Sequence, residues 1–345
     1  MNVVRFLPAP LIQLKIQHPR SHHAAVSRWL DSAGENGFSR DMLYPLVFQP
    51  IFKERVWGGR EMERLYRKPL PPAVAIGESW EISDQGDNLS VVANGPLAGR
   101  TLRSIMEEHQ EELLGETPPM PNGRFPLLIK ILDARDRLSL QVHPPSKAAL
   151  KLGGEPKTEM WYVAHADPGA TIYAGLKRGV TRRQFEDALA RQELEPLVHQ
   201  LVPRAGDALF VPSGRLHAIG AGLVIFEIQQ NSDTTYRVYD WGRPRPIHVE
   251  QSLQCIDFKD FEPSLVDSRE EVLVACENFV CARLKLSDPR QLNCNDSFHI
   301  IAAVEGGVDI GDVPLAAGQF ALVPASMEDF TLRPRDKATV LDIFV

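Results

Sequence analysis

Twice in this chain a glycine and a proline bracket a short, largely apolar run: Gly206-Asp207-Ala208-Leu209-Phe210-Val211-Pro212, and again Gly318-Gln319-Phe320-Ala321-Leu322-Val323-Pro324. Both bracketing residues interrupt regular pairing, so each copy reads as one short strand closed at its ends. Similar runs recur at Leu127 to Leu132, Met160 to Ala164 and Leu223 to Ile228. Many short strands with such punctuation are what a β-barrel or jelly roll requires, and they restrict the chain to a fold dominated by β structure. The repeat adds a second constraint, that two β units are present. Five residues after the proline the first copy has His217, whereas the second has Asp329. The C-terminal unit is expected to have lost the chemistry of His217 and to serve as structure, packing against the first unit and shielding its apolar surface.

Two stretches carry a helical pattern instead. Thr101 to Leu114 spaces Leu102, Ile105, Met106, Leu113 and Leu114 along one side and meets a stop at Gly115. Thr181 to Leu194 opens with Thr-x-x-Gln, a capping box, and groups Phe185, Ala188 and Leu189 on one face. Both predict amphipathic helices that cover a sheet, a small helical insertion in a β protein.

Size divides the chain further. At 345 residues and 43% hydrophobic content it exceeds the length at which a single core stops growing. Two globular units are expected, over residues 43–262 and 263–345, after an extension at 1–42. Up to Leu30 that extension has no acidic residue, while Arg5, Lys15, Arg20 and Arg28 are basic, a superficial likeness to a transit peptide. Pro8, Pro10 and Lys15 interrupt any apolar core near Leu11 and Ile12, which disfavours a secretory signal. The preferred reading is a poorly structured, dispensable extension, with Met42 as the functional start.

A net charge of −7 argues against a general nucleic-acid surface, which needs clustered basic residues. No apolar run approaches the roughly 18 residues that span a bilayer, so no membrane partner is expected. The four cysteines, Cys255, Cys276, Cys281 and Cys294, contain no C-x-x-C pair and read as reduced thiols of a cytoplasmic protein. An anionic small molecule would need a local basic pocket on this acidic chain.

The chemistry concentrates in three places: Gln141-Val142-His143-Pro144, Lys157-Thr158-Glu159-Met160-Trp161, and His217 after its Pro-Ser-Gly turn. Gln141 and His143 stand two apart, so on a strand both face the same way. With Glu159 and His217 they supply an amide oxygen, two imidazoles and a carboxylate from separate strands that a small barrel brings to one point. That is a metal-site composition. Zn²⁺ accepts such donors and keeps a position open in catalytic sites, while Mn and Fe(II) also suit the set.

The Gly206–His217 spacing matches the second cupin motif, and the chain resembles the type I mannose-6-phosphate isomerases in their shorter bacterial form. Matching stretches run in family order from about residue 45 to 250: Phe52-Lys53-Glu54-Arg55-Val56-Trp57-Gly58-Gly59, Gly77-Glu78-Ser79-Trp80-Glu81-Ile82-Ser83, Phe125-Pro126-Leu127-Leu128-Ile129-Lys130, and Gln229 to Asp240. The resemblance implies two cupin-like jelly-roll units, one Zn²⁺ per chain held by Gln141, His143, Glu159 and His217, and a sugar-phosphate substrate. The implied reaction interconverts mannose 6-phosphate and fructose 6-phosphate in carbohydrate metabolism.

Such an aldose–ketose isomerase must move one proton between C1 and C2 and needs positive charge where the oxyanion develops. Lys157, two residues before Glu159, would face the same way on an extended strand, and near a cation its neutral, basic form would be favoured. The resemblance also points to Lys157 as base, to Arg237 as the group that holds the enediolate or phosphate, and to Asp233 as a helper in ring opening. Glu227, Lys130 and Glu78 are weaker candidates. Three departures stand out. The context before Lys157 is Glu155-Pro156, where longer relatives carry a histidine. Ala218 follows His217 where the cupin motif often goes on to Asn. Only about sixty residues separate Glu159 from His217, with no room for a large helical insertion. Two other classes share the ligands: an Fe(II) cupin dioxygenase, which has no use for Lys157 and Arg237, and a non-catalytic sugar-phosphate-binding cupin.

Overall fold

The computed structural model describes residues 43–267 and 269–345; the extension expected over residues 1–42 lies outside the described residues. Strands dominate, and they pair antiparallel into two sandwiched units. In the first, a six-stranded sheet in the order Ala208–Val211, Glu159–Ala166, Leu223–Gln230, Leu127–Ala134, Ile76–Ile82, Ile51–Gly59 faces a five-stranded one. The latter runs Val198–Leu201, Ile172–Leu176, His217–Ile219, Leu140–Val142, Tyr236–Tyr239. One core joins them: Trp161, Val163, Val211 and Ile225 from the larger sheet against Ile172, Ala174 and Ile219 from the smaller.

The second unit repeats the plan. A five-stranded sheet, with Val280–Leu286, Ala338–Phe344, His299–Glu305 and Phe320–Val323 among its members, lies against four strands from Arg290–Asn293 to Val313–Ala316. Val340, Ile301 and Ala321 meet Val308, Phe330 and Leu332 in its interior. The two units share a third core. Alternation along Glu159–Ala166 sends Trp161 and Val163 inward but Met160 and Tyr162 outward, onto a layer that also takes Ile300, Leu322 and Leu341 of the second unit. Leu46 and Leu322 exchange both backbone hydrogen bonds at 2.8 Å across this boundary.

The repeated Gly-x₅-Pro strand occupies the same place in both units. Val211 pairs with Glu159, and the equivalent Val323 pairs with His299. Five residues after each proline, His217 lies opposite Gln141 and Asp329 lies opposite Asn293. The sequence repeat is thus a repeat of register, with three of the four expected ligand positions changed to His299, Asn293 and Asp329.

The first expected helix forms at Leu102–Leu114, capped by the Thr101 side chain accepting from the Ser104 N–H. Its stop is obligatory glycine: Gly115 has φ 61°, and a Cβ there would lie 2.0 Å from the Asp296 carbonyl oxygen. The second forms at Arg182–Ala190 with the full Thr181/Gln184 capping box, but it ends short of Leu194. Gln192 adopts φ 61°, and a 3₁₀ turn over Glu195–Leu197 with Pro196 takes the chain away. Short helices at Glu61–Tyr66, Ser146–Leu152 and Val249–Cys255 had no sequence signal strong enough to predict them. Helices 182–190 and 249–255 cover the outer face of the five-stranded sheet, burying Phe185, Leu189 and Cys255 against Val142, Ala218 and Val238. All four cysteines are free thiols.

Two predictions follow from this packing. Leu322 is fully buried between the units, so Leu322→Ala is expected to cost about 2–5 kcal/mol in urea unfolding; a loss below about 1 kcal/mol would show that the shared layer does not hold the units together. The second concerns Asp133, which accepts the backbone N–H groups of Glu61 (2.6 Å) and Met62 (3.4 Å) and is pushed up from 3.8 to about 6 by burial. The folded state then binds more protons than the unfolded chain between those values, so stability falls as pH rises from about 4 to about 6 and stays lower above. Asp133→Asn is expected to raise stability by up to about 2 kcal/mol at pH 7.5 and by nothing at pH 4; equal effects at both pH values would refute the assignment.

Candidate metal centre

Three neighbouring strands of the smaller sheet build one wall. His217 lies opposite Gln141, and on its other side Gln141 lies opposite Arg237. Directly opposed residues point to one face, and the flanking Leu140, Val142, Leu216, Ala218 and Val238 all belong to the helix-covered outer core. The row His217–Gln141–Arg237 therefore faces the barrel interior. His143 follows just past the end of its strand. The Pro212-Ser213-Gly214 turn is tied to it, since Gly214, at φ 94°, donates its N–H to the His143 carbonyl at 2.8 Å. Glu159 comes from the facing sheet, between Val211 and Gln229.

His143, Glu159 and His217 converge so that one ligand atom from each lies within 4.8 Å of the others. His143 Nε2 is 3.4 Å from Glu159 Oε2, and His217 Nε2 is 3.6 Å from Oε1. All three side chains are at most 1% exposed. Each imidazole is fixed by its other nitrogen: Nδ1–H of His143 donates to the Thr234 carbonyl and that of His217 to the Arg215 carbonyl, both at 2.9 Å. That tautomer leaves lone pairs on both Nε2 atoms, aimed at a carboxylate that carries lone pairs too.

The protonation states follow from the surroundings. Burial pushes His143 down to about 4, helped by the Lys157 charge, and burial likewise lowers His217. Burial alone would raise Glu159, but the Lys157 ammonium holds it ionised, well below the usual carboxylate range. Among the described residues no hydrogen-bond donor satisfies His143 Nε2 or either Glu159 oxygen, although the Lys157 ammonium stands 3.0 Å from Oε2 as an ion pair. Buried acceptors facing one another without a proton between them are costly. A divalent cation is the species that satisfies all of them at once, so the donor set fits a metal ion.

Gln141 sits beside this cluster, its amide nitrogen 3.2 Å from His217 Nε2 and its oxygen 3.3 Å from the Ser139 hydroxyl. In this orientation it donates to the imidazole. Turning the amide over presents the expected oxygen, and amide orientation follows the surrounding hydrogen bonds.

Lys157 is expected to be neutral beside a bound cation; the charges of the chain alone act the other way. The amine is buried, which favours the neutral form, but the carboxylates of Glu159, Glu227 and Asp233 outweigh burial and raise its pKa. Without a cation on Glu159 the lysine is an ammonium. Asp233 is exposed on the loop after Leu223–Gln230, near enough for its charge to act on Lys157. Arg237 donates from Nη1 to the Pro246 carbonyl at 2.6 Å and leaves Nε buried without a partner.

The weaker candidates join the same interior. Lys130 and Glu227 are register partners, with Nζ 3.3 Å from Oε2. Trp161 Nε1 donates to Glu227 at 3.2 Å, and Lys130 lies 4.9 Å from the Trp80 ring centre. Glu78, held by Arg55 at 2.9 and 3.0 Å and by Trp80 Nε1 at 2.7 Å, ends this line of alternating charge. Arg55, Trp80 and Trp161 were not among the expected site residues, although all three lie within the motif stretches. Sequence reasoning could not see the Thr234 and Arg215 carbonyls, because a backbone acceptor has no residue signature.

The model of the type I phosphomannose isomerase catalytic domain matches residues 46–158. The mannose-6-phosphate isomerase ManA of Bacillus subtilis is 34% identical over 307 residues, 84% of this chain and 95% of that protein. The mannose-6-phosphate isomerase of Streptococcus mutans is 35% identical over 294 residues, 81% of this chain and 90% of that one. The crystal structure of the mannose 6-phosphate isomerase from Bacillus subtilis superposes with a TM-score of 0.78 at 31% identity, covering 88% of this chain and all of that one. A phosphomannose isomerase from Salmonella typhimurium, at 16% identity and TM-score 0.72, shares the fold. With its interior cluster and full-length relatives in agreement, the chain belongs to the type I phosphomannose isomerase family.

Proposed function

We propose that this protein interconverts mannose 6-phosphate and fructose 6-phosphate at the interior site, as a Zn²⁺-dependent enzyme of the cytoplasm. The observation that carries the reading is the buried cluster of His143, Glu159 and His217, acceptors only, with Lys157 and Arg237 beside it. Gln141 completes the ligand set once its amide turns over. Bound there, the ion would supply Lewis acidity at the sugar oxygens without redox work.

The chain's own residues divide the remaining tasks. Lys157 takes the proton from one carbon and returns it to the next; for this the pull of Glu159 on its ammonium must be spent elsewhere, as it is when the carboxylate is a ligand. Arg237, facing inward beside Gln141, offers a guanidinium fork to the enediolate or phosphate. Asp233 lies on the exposed loop near Lys157, where it can serve ring opening. In this reading residues 43–262 are the catalytic unit and residues 263–345 support it. Oxygen chemistry at the same ligands would leave Lys157 and Arg237 without a task. Among the described residues no helix is long and apolar enough to cross a membrane, which is compatible with the compartment proposed.

Chelator treatment is expected to abolish fructose 6-phosphate formation in a coupled assay, and Zn²⁺ to restore it. Glu159→Gln should lose bound metal by elemental analysis together with activity; full metal content in that variant would remove Glu159 from the ligand set. Lys157→Ala should keep its metal yet lose a factor of about 10² or more in kcat, the usual scale for a lost acid–base group. Wild-type kcat in Lys157→Ala would exclude the lysine from proton transfer.

A further inference from the structure

A second concave site lies on the opposite face of the strand that carries Arg237. The loop after Tyr236–Tyr239, helix Arg182–Ala190 and helix Val249–Cys255 enclose a cleft of about 690 Å³, within the range that holds small-molecule ligands. None of the metal-centre residues lines it. Its floor is apolar, with Leu189, Val249 and Leu253, and Ile247 stands at the rim, half exposed.

Its polar edge is built around one carboxylate. Asp240, almost fully buried, accepts from Arg245 through both oxygens at 2.6 Å and from Arg243 Nη2 at 2.9 Å. Arg243 is further held by the Arg137 carbonyl at 2.8 Å and by Asp136 at 3.2 Å. Arg245 has no other side-chain partner among the described residues, which leaves its Nη1 donors uncommitted on a guanidinium already fixed in place. Glu186, across the cleft, is paired with Arg182 at 2.7 Å. The cleft thus combines an apolar floor with a pre-oriented, partly exposed guanidinium.

We propose that this cleft is a second ligand site, for a phosphate monoester that carries an apolar or ring-shaped body, and that its occupancy is felt at Arg237. The phosphate takes the free donors of Arg245, for which a guanidinium is suited, and the body covers Leu189, Val249 and Leu253. The link to the metal centre is short. Arg237 Nη1 donates to the carbonyl of Pro246, its N–H donates to His248 Nδ1 at 3.1 Å, and its carbonyl accepts from the His248 N–H at 2.7 Å. A ligand that moves residues 243–247 therefore moves the atoms that aim Arg237. The binding step stands apart from the isomerase reading; only its consequence rests on it.

The test is calorimetric titration of the full chain with a nucleoside monophosphate, phenyl phosphate and inorganic phosphate, neither organic probe being a substrate of the proposed isomerase, alongside Arg245→Ala, Ala190→Trp and Glu159→Gln. Ala190 lines the cleft at the exposed end of its helix, so the bulky substitution fills the space without entering the core. Saturable binding of either organic phosphate is expected in the wild type and in Glu159→Gln. It should weaken about tenfold or more in Arg245→Ala, the scale of a lost charge-assisted hydrogen bond, and vanish in Ala190→Trp at an unchanged melting temperature. Which of the two organic phosphates binds identifies the body. Absence of saturable binding, binding lost in Glu159→Gln but kept in Ala190→Trp, or inorganic phosphate binding as tightly as the organic ones would each overturn the proposal. Activity does not enter these outcomes, so a failure of the isomerase reading leaves them intact.

Discussion

Glu159 sets the terms for the rest of the site. Its carboxylate is fully buried, ionised, and faced by the lone pairs of two imidazoles whose protons are committed to backbone carbonyls. A buried charge without donors is tolerated only where something else supplies positive charge. Lys157 supplies part of it from the strand side, and the geometry of the two histidines leaves room for the remainder at the centre. The lysine is consequently tuned by the same carboxylate that, in the proposed reading, would hold the cation. In the proposed reading a cation on Glu159 would weaken the hold on the Lys157 proton, coupling metal and base through one carboxylate.

Much of this was legible because the informative residues obey a period. Gln141 and His143 stand two apart, on and just past the end of one strand, Glu159 opens another, and His217 follows a turn whose Pro212 and Gly214 mark it in the sequence. Short strands such as Ala208–Val211 appear where their Gly and Pro brackets predict them. The misses have physical causes. The second helix stops at Ala190 because Gln192 adopts a left-handed conformation that no local pattern announces. The field on Lys157 is not a miss but lies beyond sequence reading: besides Glu159 it includes Glu227, remote in sequence and brought close only by the pairing of Leu223–Gln230 with Glu159–Ala166. The orientation of Gln141 depends on which hydrogen bond it makes, and that is fixed by neighbours on other strands.

The second unit shows what happens when the same scaffold is relieved of that electrostatic demand. In the shared register His299 stands where Glu159 does, and Asp342, opposite Ile301, stands where Glu227 does opposite Trp161. The result is a closed pair: His299 Nδ1 meets Asp342 Oδ1 at 2.6 Å, and the ring stacks on Phe344. A donor and an acceptor satisfy each other within the chain, where in the first unit Glu159 faces two imidazole acceptors. Asp329 accepts from Asn293 at an exposed edge, another internal solution. One backbone pattern therefore supports two opposite accounts of polar satisfaction, and the difference lies in whether the strand opposite the Gly-x₅-Pro unit begins with a carboxylate or an imidazole.

The candidate ligands of the first unit come from facing sheets, His143 and His217 from one and Glu159 from the other, so their separation is a property of the core between them. Trp161 touches both problems. Its ring packs edge-on against His217 at 5.4 Å, and its Nε1–H satisfies Glu227, while its bulk fills the space between the sheets with Val211 and Ile219. Close-packed interiors transmit changes of volume rather than absorb them. Sheet spacing, imidazole orientation and the charge line through Glu227 and Lys130 are therefore held by the same side chain, and the apolar core of this barrel shapes its candidate metal centre.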